Sequence, residues 1–472
     1  MIDAEFIAEL RAHYGERCSV HPSVREQHGR GEGYAPPAAP DAVIWPTGKH
    51  EVCDILARCD ARRVPVIAFG AGTSLEGQVT APYGGVCLDM ARMDSLLAVN
   101  VADSDCIVQP GMTRERLNEQ LRDTGLFFPI DPGANATLGG MASTRASGTT
   151  TLRYGSMWQN VLALEVALAD GRLVRVGSRA RKSSAGYDLV RLLLGAEGTL
   201  GIITELTLRL HPQPAAIAAA SCAFPTLDAA IGSVIDLALS GVQPARIEFL
   251  DELQMRACNR HSALGLAELP TLFFECHGSQ TAVAEEIAVL QAVAAEHRGS
   301  DFRAATVPEE RARLWRARHM AYFAAFTLRP GARPIVTDIC VPLSALADNV
   351  VAARRDIDRE GLIAPIVGHV GDGNFHVLFL VAPDDADEIA AAQRVGAAMV
   401  RRAQATGGTC TGEHGIGIGK QQQLIEEFGT DVVDLMRRIK AAWDPRNILN
   451  PGKIFAAGAE PLGQAAVHAG TH

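Results

Sequence analysis

Apolar residues in this chain fall into runs of two lengths, short ones of strand size and longer ones at helical spacing. Val64 to Phe69, Gly85 to Asp89, Cys106 to Gln109 and Val161 to Leu168 read as strands, and 49–62 and 113–124 as helices. Their alternation from residue 41 to about 214 predicts a mixed α+β lobe. A short helical pattern opens the chain. A polar stretch with Gly29, Gly31 and Gly33 follows, then Ala35-Pro36-Pro37-Ala38-Ala39-Pro40, which reads as an extended connector. His211-Pro212-Gln213-Pro214 punctuates the pattern. Beyond it, helical runs at 227–239, 282–296 and 346–360 and strand runs at 271–275 and 335–341 predict a second α+β lobe. An amphipathic helix at 431–442 stops at Asp444-Pro445-Arg446, and the Ala/Gly-rich residues 457–472 are expected to fray.

Size supports two lobes: 472 residues exceed what a single core normally serves. With 44 Lys+Arg against 54 Asp+Glu the net charge is −10, which excludes a broadly basic nucleic-acid footprint. Hydrophobic residues at 47% exclude disorder over most of the chain. The ten cysteines form no C-x-x-C pair, and the start lacks a basic and apolar leader, so a reduced, cytoplasmic setting is expected. No apolar run is long enough to span a bilayer; peripheral membrane contact stays open. The 45 glycines point to backbone that comes close to a ligand.

Two glycine loops carry that suggestion. The first, Gly70-Ala71-Gly72-Thr73-Ser74-Leu75-Glu76-Gly77-Gln78, follows a strand. Leu75 breaks the Rossmann pattern, and Gln78 stands where a P-loop needs Lys, so a nucleoside triphosphate is disfavoured. Consecutive N–H groups still suit a diphosphate. The second runs Asp131-Pro132-Gly133-Ala134-Asn135-Ala136-Thr137-Leu138-Gly139-Gly140, followed by Ser143, Ser147, Gly148 and Tyr154-Gly155. Each alone could be a tight turn; together they favour a dinucleotide held without NAD-type geometry. A third, weaker segment is Leu194-Gly195-Ala196-Glu197-Gly198-Thr199-Leu200-Gly201-Ile202-Ile203.

The sharpest local signal is Gly368-His369-Val370-Gly371-Asp372-Gly373-Asn374-Phe375-His376-Val377 between apolar runs. Asp-Gly there predicts a two-residue hairpin turn. In that register His376 faces His369, at a spacing suited to one metal ion. A pair of hydrogen-bonded structural histidines is the plainer alternative. Glu413-His414, inside a glycine-rich stretch, offers a third ligand, because His/His/Glu is a common catalytic zinc set. An exposed helix-ending turn is the alternative there.

These motifs, in this order, resemble the FAD-linked D-2-hydroxyacid dehydrogenases of the vanillyl-alcohol-oxidase (PCMH-type) FAD fold, over roughly residues 36–456, ending in Asp444-Pro445-Arg446-Asn447-Ile448-Leu449-Asn450-Pro451-Gly452-Lys453. The match is strongest to the branch that oxidises D-lactate and reduces cytochrome c. The resemblance implies an α+β architecture with an FAD-binding domain over 1–215, a ferredoxin-like cap over 216–442, and a segment 443–472 returning to the FAD domain with a frayed tail. It implies FAD contacts at Gly70, Ala71, Gly72, Thr73, Ser74, Leu75, Gly77, Pro132, Gly133, Thr137, Gly139, Gly140, Ser143, Ser147, Gly148, Tyr154, Glu197, Gly198, Gly201, Ile203 and Asn450. It implies a divalent metal, Zn2+ or Mn2+, on His369, His376 and Glu413, with His414 as base. Arg318 matches the arginine that clamps the substrate carboxylate, with Arg316 and Arg333 as looser matches.

Residues 70–78 lack His and no Cys lies between Cys106 and Cys222, so the FAD is expected to be non-covalent. Leu378 leans the substrate towards lactate or another apolar 2-hydroxy acid. The expected reaction is hydride transfer from a D-2-hydroxy acid to the flavin, with the metal polarising the hydroxyl. Electrons would pass to cytochrome c, a quinone or an electron-transfer flavoprotein; a homodimer stays open. The rival readings are a flavin subunit of a glycolate-oxidase-type complex, including a non-catalytic one, and a metallohydrolase without flavin.

Overall fold

The computed structural model describes residues 2–263 and 265–456. The expectation of a frayed tail at 457–472 lies outside the described residues. The chain forms two units. One comprises residues up to 146, 156–212 and 413 onward; the other comprises 147–155 and 213–412.

The first unit holds two sheets. In the smaller, Ala42–Ile44, Val86–Asp89 and Val66–Phe69 run parallel in that spatial order, with Cys18–Ser19 antiparallel at the edge. Parallel strands need a crossover, and Lys49–Arg62 supplies it. It buries Val52, Ile55, Leu56 and Cys59, a three-four stripe that faces the sheet core. The larger sheet is antiparallel, ordered Leu96–Asn100, Asp105–Val108, Ile202–Arg209, Val161–Ala167, Leu173–Gly177. The helix expected at 113–124 is Arg114–Leu121, capped by the Thr113 side chain and closed by a 3-10 turn.

The second unit is one antiparallel sheet. Its first four strands, Ala216–Ala223, Arg246–Leu250, Thr271–Gly278 and Ser300–Ala305, take the spatial order fourth, first, third, second. Helices Leu227–Leu239 and Gln280–Glu296 follow the first and third strands, which is the ferredoxin-like arrangement. Ile366–His369, Asn374–Val381 and Arg333–Val336 extend the sheet beyond the second strand, and Ile339–Cys340 pairs with the end of Asn374–Val381. This is the expected α+β fold.

The last helix is longer than its amphipathic pattern predicts: Gln421–Trp443, broken at Gly429 with φ 78°. Its C-terminal half packs Ile439 and Trp443 on the first unit's core. The units divide at 412/413, whereas the resemblance implied a domain boundary at 442/443. Beyond the helix the chain lies beside Val66: Val66 N–H donates to Ile448 O at 2.7 Å and Asn450 N–H to Val66 O at 2.8 Å. Buried Lys440 locks this return. Its Nζ donates to Thr199 O at 2.8 Å, to Leu449 O at 2.9 Å and to the Asp444 carboxylate. Asp444 in turn accepts from the backbone of Ile448 and Leu449.

Among the described residues no helix is long and apolar enough to cross a membrane. None of the ten cysteines is in a disulfide.

Removing one partner of a buried pair leaves the other charge uncompensated. Lys440→Met is therefore expected to cost about 3–5 kcal/mol of stability in chemical denaturation. A loss near zero would contradict the locking role.

Candidate active site

The first glycine loop leaves the strand Val66–Phe69 at Gly70. A Cβ at Gly70 would lie 2.2 Å from Thr137 Oγ1, so the two glycine loops touch where only hydrogen fits. Thr137 caps the helix Leu138–Thr144 by accepting from Gly140 N–H. Gly139 sits against Pro110, with a Cβ position 2.6 Å from its ring. Ser143 Oγ donates to Gly139 O at 2.8 Å, and Ser143 O accepts from Glu197 N–H at 2.8 Å. Asn450 Nδ2 donates to Gln78 O at 3.1 Å and to Glu197 O at 2.7 Å. Thus Gly70, Thr137, Gly139, Gly140, Ser143, Glu197 and Asn450 converge within the first unit.

Other expected contacts have different surroundings. Gly133 has no atom within 4 Å of its Cβ position, and a Cβ at Gly201 would lie 2.3 Å from Val166 Cγ1. Ser147, Gly148 and Tyr154 belong to the second unit. There Tyr154 Oη lies 2.7 Å from His277 Nδ1, and His277 Nε2 lies 2.8 Å from Glu275.

The residues fit FAD. The loops bring backbone N–H groups and several glycine, alanine, serine and threonine residues together, and Ser74 Oγ is buried with no hydrogen-bond partner among the described residues. Such an atom is expected where a polar ligand completes the site.

The glycine-rich stretch after Gly412 runs along the first loop. Gln78 Nε2 donates to His414 O at 2.8 Å, and Ile418 N–H donates to Glu76 O at 2.8 Å. Lys420 pairs with Glu76 at 3.3 Å. The two oxygens of buried Glu197 accept from Ile416 N–H at 2.7 Å and Gly417 N–H at 2.8 Å. Gly415 and Gly417 take positive φ, 78° and 51°, and allow the close approach. Burial raises the Glu197 carboxyl to about 7, against the opposing pull of those two N–H groups.

In the second unit the hairpin differs from the two-residue turn expected. Val370–Asp372 forms a 3-10 turn closed by Gly373 at φ 77°, a loop of four residues. His369 consequently pairs with Asn374, and His376 faces Val367 rather than His369. A shift of two residues keeps the side-chain face, so the histidines remain diagonal neighbours with ring centroids 5.6 Å apart.

Their Nδ1 atoms are committed. His369 Nδ1 lies 2.6 Å from Glu248 Oε1, and His376 Nδ1 lies 3.1 Å from Thr337 O. A carbonyl only accepts, so His376 carries its proton on Nδ1. Burial would raise the Glu248 carboxyl, but Arg318 and His369 outweigh it and hold it below its ordinary value; His369 therefore donates as well. In the neutral rings Nε2 bears the lone pair of both histidines, the state a metal ligand needs. This donor set fits a divalent cation.

Arg318, on the helix Pro308–His319, donates through Nε to Glu248 Oε2 at 2.5 Å. Arg333 lies on the strand Arg333–Val336 and is exposed there. Asp338 accepts from Asn374 Nδ2 at 2.9 Å and Thr411 Oγ1 at 2.8 Å, and lies 3.7 Å from His376 Nδ1. Glu413 and His414 follow at once on Gly412, whose Cβ position meets Asn374 and Asp338. Leu378 is buried with Leu250, Val367 and Trp315, so its observed role is packing. Glu248 and Asp338 escaped the sequence reading, although each is a lone acid inside an apolar strand-like run, Arg246–Leu250 and 335–341.

Fold and loops define a flavin-binding oxidoreductase. Residues 40–177 match the family described as FAD binding domain, and 213–454 match FAD linked oxidases, C-terminal domain. The chain is 48% identical over 443 residues to "Probable D-lactate dehydrogenase, mitochondrial" of Danio rerio, covering 93% of this chain and 89% of that protein. It is 42% identical over 456 residues to D-lactate dehydrogenase (cytochrome), mitochondrial, of Arabidopsis thaliana, covering 96% and 80%. The structure of p-cresol methylhydroxylase with substrate bound superposes with a TM-score of 0.80 at 17% identity, covering 97% of this chain and 98% of that one. The chain belongs to the FAD-linked oxidases, among the D-2-hydroxyacid dehydrogenases.

A folded-state carboxyl raised from 4.5 to about 7 stays protonated where its unfolded counterpart ionises. Its contribution is present below about pH 4.5 and is lost as pH rises towards 7. Relative to Glu197→Gln, the wild type is expected to lose melting temperature between pH 5 and pH 8. A parallel pH dependence of the two proteins would contradict the buried, protonated carboxyl.

Proposed function

We propose that the protein is an FAD-dependent D-lactate dehydrogenase that oxidises D-lactate to pyruvate and passes the electrons to a cytochrome c-type acceptor. The observation that supports this reading is the hydrogen bond from Gln78 Nε2, at the end of the first glycine loop, to the backbone carbonyl of His414, the candidate base. The relatives' names support the substrate and the acceptor.

The roles follow from the donors. The two glycine loops, the segment 197–203 and Asn450 hold FAD non-covalently. FAD held there would supply the two-electron acceptor for oxidation at C2 of the substrate. His369 and His376 through Nε2, with the Glu413 carboxylate, would hold Zn2+ or Mn2+, whose Lewis acidity favours loss of the hydroxyl proton. His414 takes that proton, work suited to an imidazole near neutral pH. Arg318 clamps the substrate carboxylate with the outer nitrogens of a guanidinium whose Nε is already anchored on Glu248. Ten cysteines without a disulfide suit a reducing compartment.

The test is the visible spectrum of the purified, FAD-loaded protein under anaerobic conditions. D-lactate is expected to bleach the flavin bands, and L-lactate and glycolate to leave them. Bleaching by glycolate alone would move the protein to the glycolate-oxidising reading; failure to take up FAD would overturn the reading. His414→Ala is expected to keep FAD and metal while flavin reduction by D-lactate falls by about 10²–10⁴-fold, the usual contribution of a general base. Reduction at the wild-type rate would remove His414 as the base.

A further inference from the structure

We propose that Glu248 is a positioning residue that serves the metal ligand and the substrate-binding arginine together, so that cation affinity and carboxylate recognition are coupled through one buried side chain. The inference rests on the reading of His369 as a ligand and Arg318 as the carboxylate clamp.

Glu248 lies in the middle of the strand Arg246–Leu250 and its side chain is 0% exposed. Its flanking strands fix it: Glu248 is opposite Phe273 on one side, and Phe249 is opposite Gly368, next to His369, on the other. Each oxygen has its own partner, Oε1 with His369 Nδ1 and Oε2 with Arg318 Nε. A buried carboxylate persists only when paired, and here the two pairs account for it. The Oε1 bond sets which nitrogen of His369 is left to ligate, and a carboxylate there makes the imidazole a stronger donor. The Oε2 bond holds Arg318 by its inner nitrogen.

The arginine's helix cannot drift, because Trp315, one turn earlier, stacks under Arg246 at 5.1 Å and meets Phe273 at 6.3 Å. Residues three apart share a helix face, so anchoring Trp315 on the sheet also aims Arg318 at it. A carboxylate that were only a structural ion pair would need one cation. Splitting its oxygens between a hairpin histidine and a helix arginine is what coupling requires.

The test uses the FAD-loaded protein stripped of metal by chelation and titrated with MnCl2 in a calorimeter. Glu248→Gln keeps shape and removes charge. It is expected to weaken Mn2+ binding by about 10–100-fold, the usual cost of losing an outer-shell partner. At saturating Mn2+ its KM for D-lactate is expected to remain raised several-fold while kcat largely recovers, because Arg318 is no longer anchored. Wild-type binding with an unchanged Glu248→Gln affinity overturns the inference and leaves the metal reading standing. A wild type that binds no Mn2+ overturns both. Should Glu248→Gln not fold, Arg318→Met is the second variant. It removes no expected ligand, yet is expected to weaken Mn2+ binding several-fold; an unchanged affinity overturns the coupling.

Discussion

The candidate metal site depends on what holds the Nδ1 atoms of two histidines. A ring whose Nδ1–H is given to Glu248, or to the Thr337 carbonyl, presents its other nitrogen as a lone pair and cannot rotate without breaking a buried hydrogen bond. The hairpin alone does not achieve this. Its four-residue turn sets the two side chains diagonally, and the neighbouring strands Arg246–Leu250 and Arg333–Val336, with the residues just after the latter, supply the acceptors. Sheet pairing thereby orients both rings as a metal ligand needs.

A parallel constraint operates in the first unit. Glu197, itself at positive φ, receives the N–H groups of Ile416 and Gly417 while its own backbone carbonyl accepts from Asn450. Asn450 also reaches Gln78 O, and Gln78 reaches His414 O. Four segments distant in sequence are thereby joined through hydrogen bonds to backbone atoms, which demands glycine where side chains would intervene. This explains why the glycine positions were conspicuous in the sequence, and why the helix Gln421–Trp443 and the return past Val66 belong with this unit.

The fold was largely legible because its cues are local. Strand-length runs, the helical stripe of Lys49–Arg62 and the break at residues 211–214 each declare themselves within a short window. So did the histidines and the glycine loops, whose residue types are costly to place at random. Three things were not legible. Hairpin register depended on whether the Asp372-Gly373 turn used two residues or four, and Asp-Gly serves both. Gly429 hid the first half of the last helix, because a break with positive φ does not prevent helical runs on either side from stacking end to end. Glu248 and Asp338 needed long-range pairing to show their purpose: Glu248 meets His369 across 121 residues and Arg318 across 70. A lone acid in an apolar strand was the available signal.

The most direct test of the central claim is an anomalous difference map from crystals of the FAD-loaded protein soaked in Mn2+. The account predicts a single peak bonded to Nε2 of His369, Nε2 of His376 and the Glu413 carboxylate, with the hydrogen bonds from Nδ1 to Glu248 and to Thr337 intact. No peak at the hairpin, or a cation bound through Nδ1 with those hydrogen bonds broken, would contradict it.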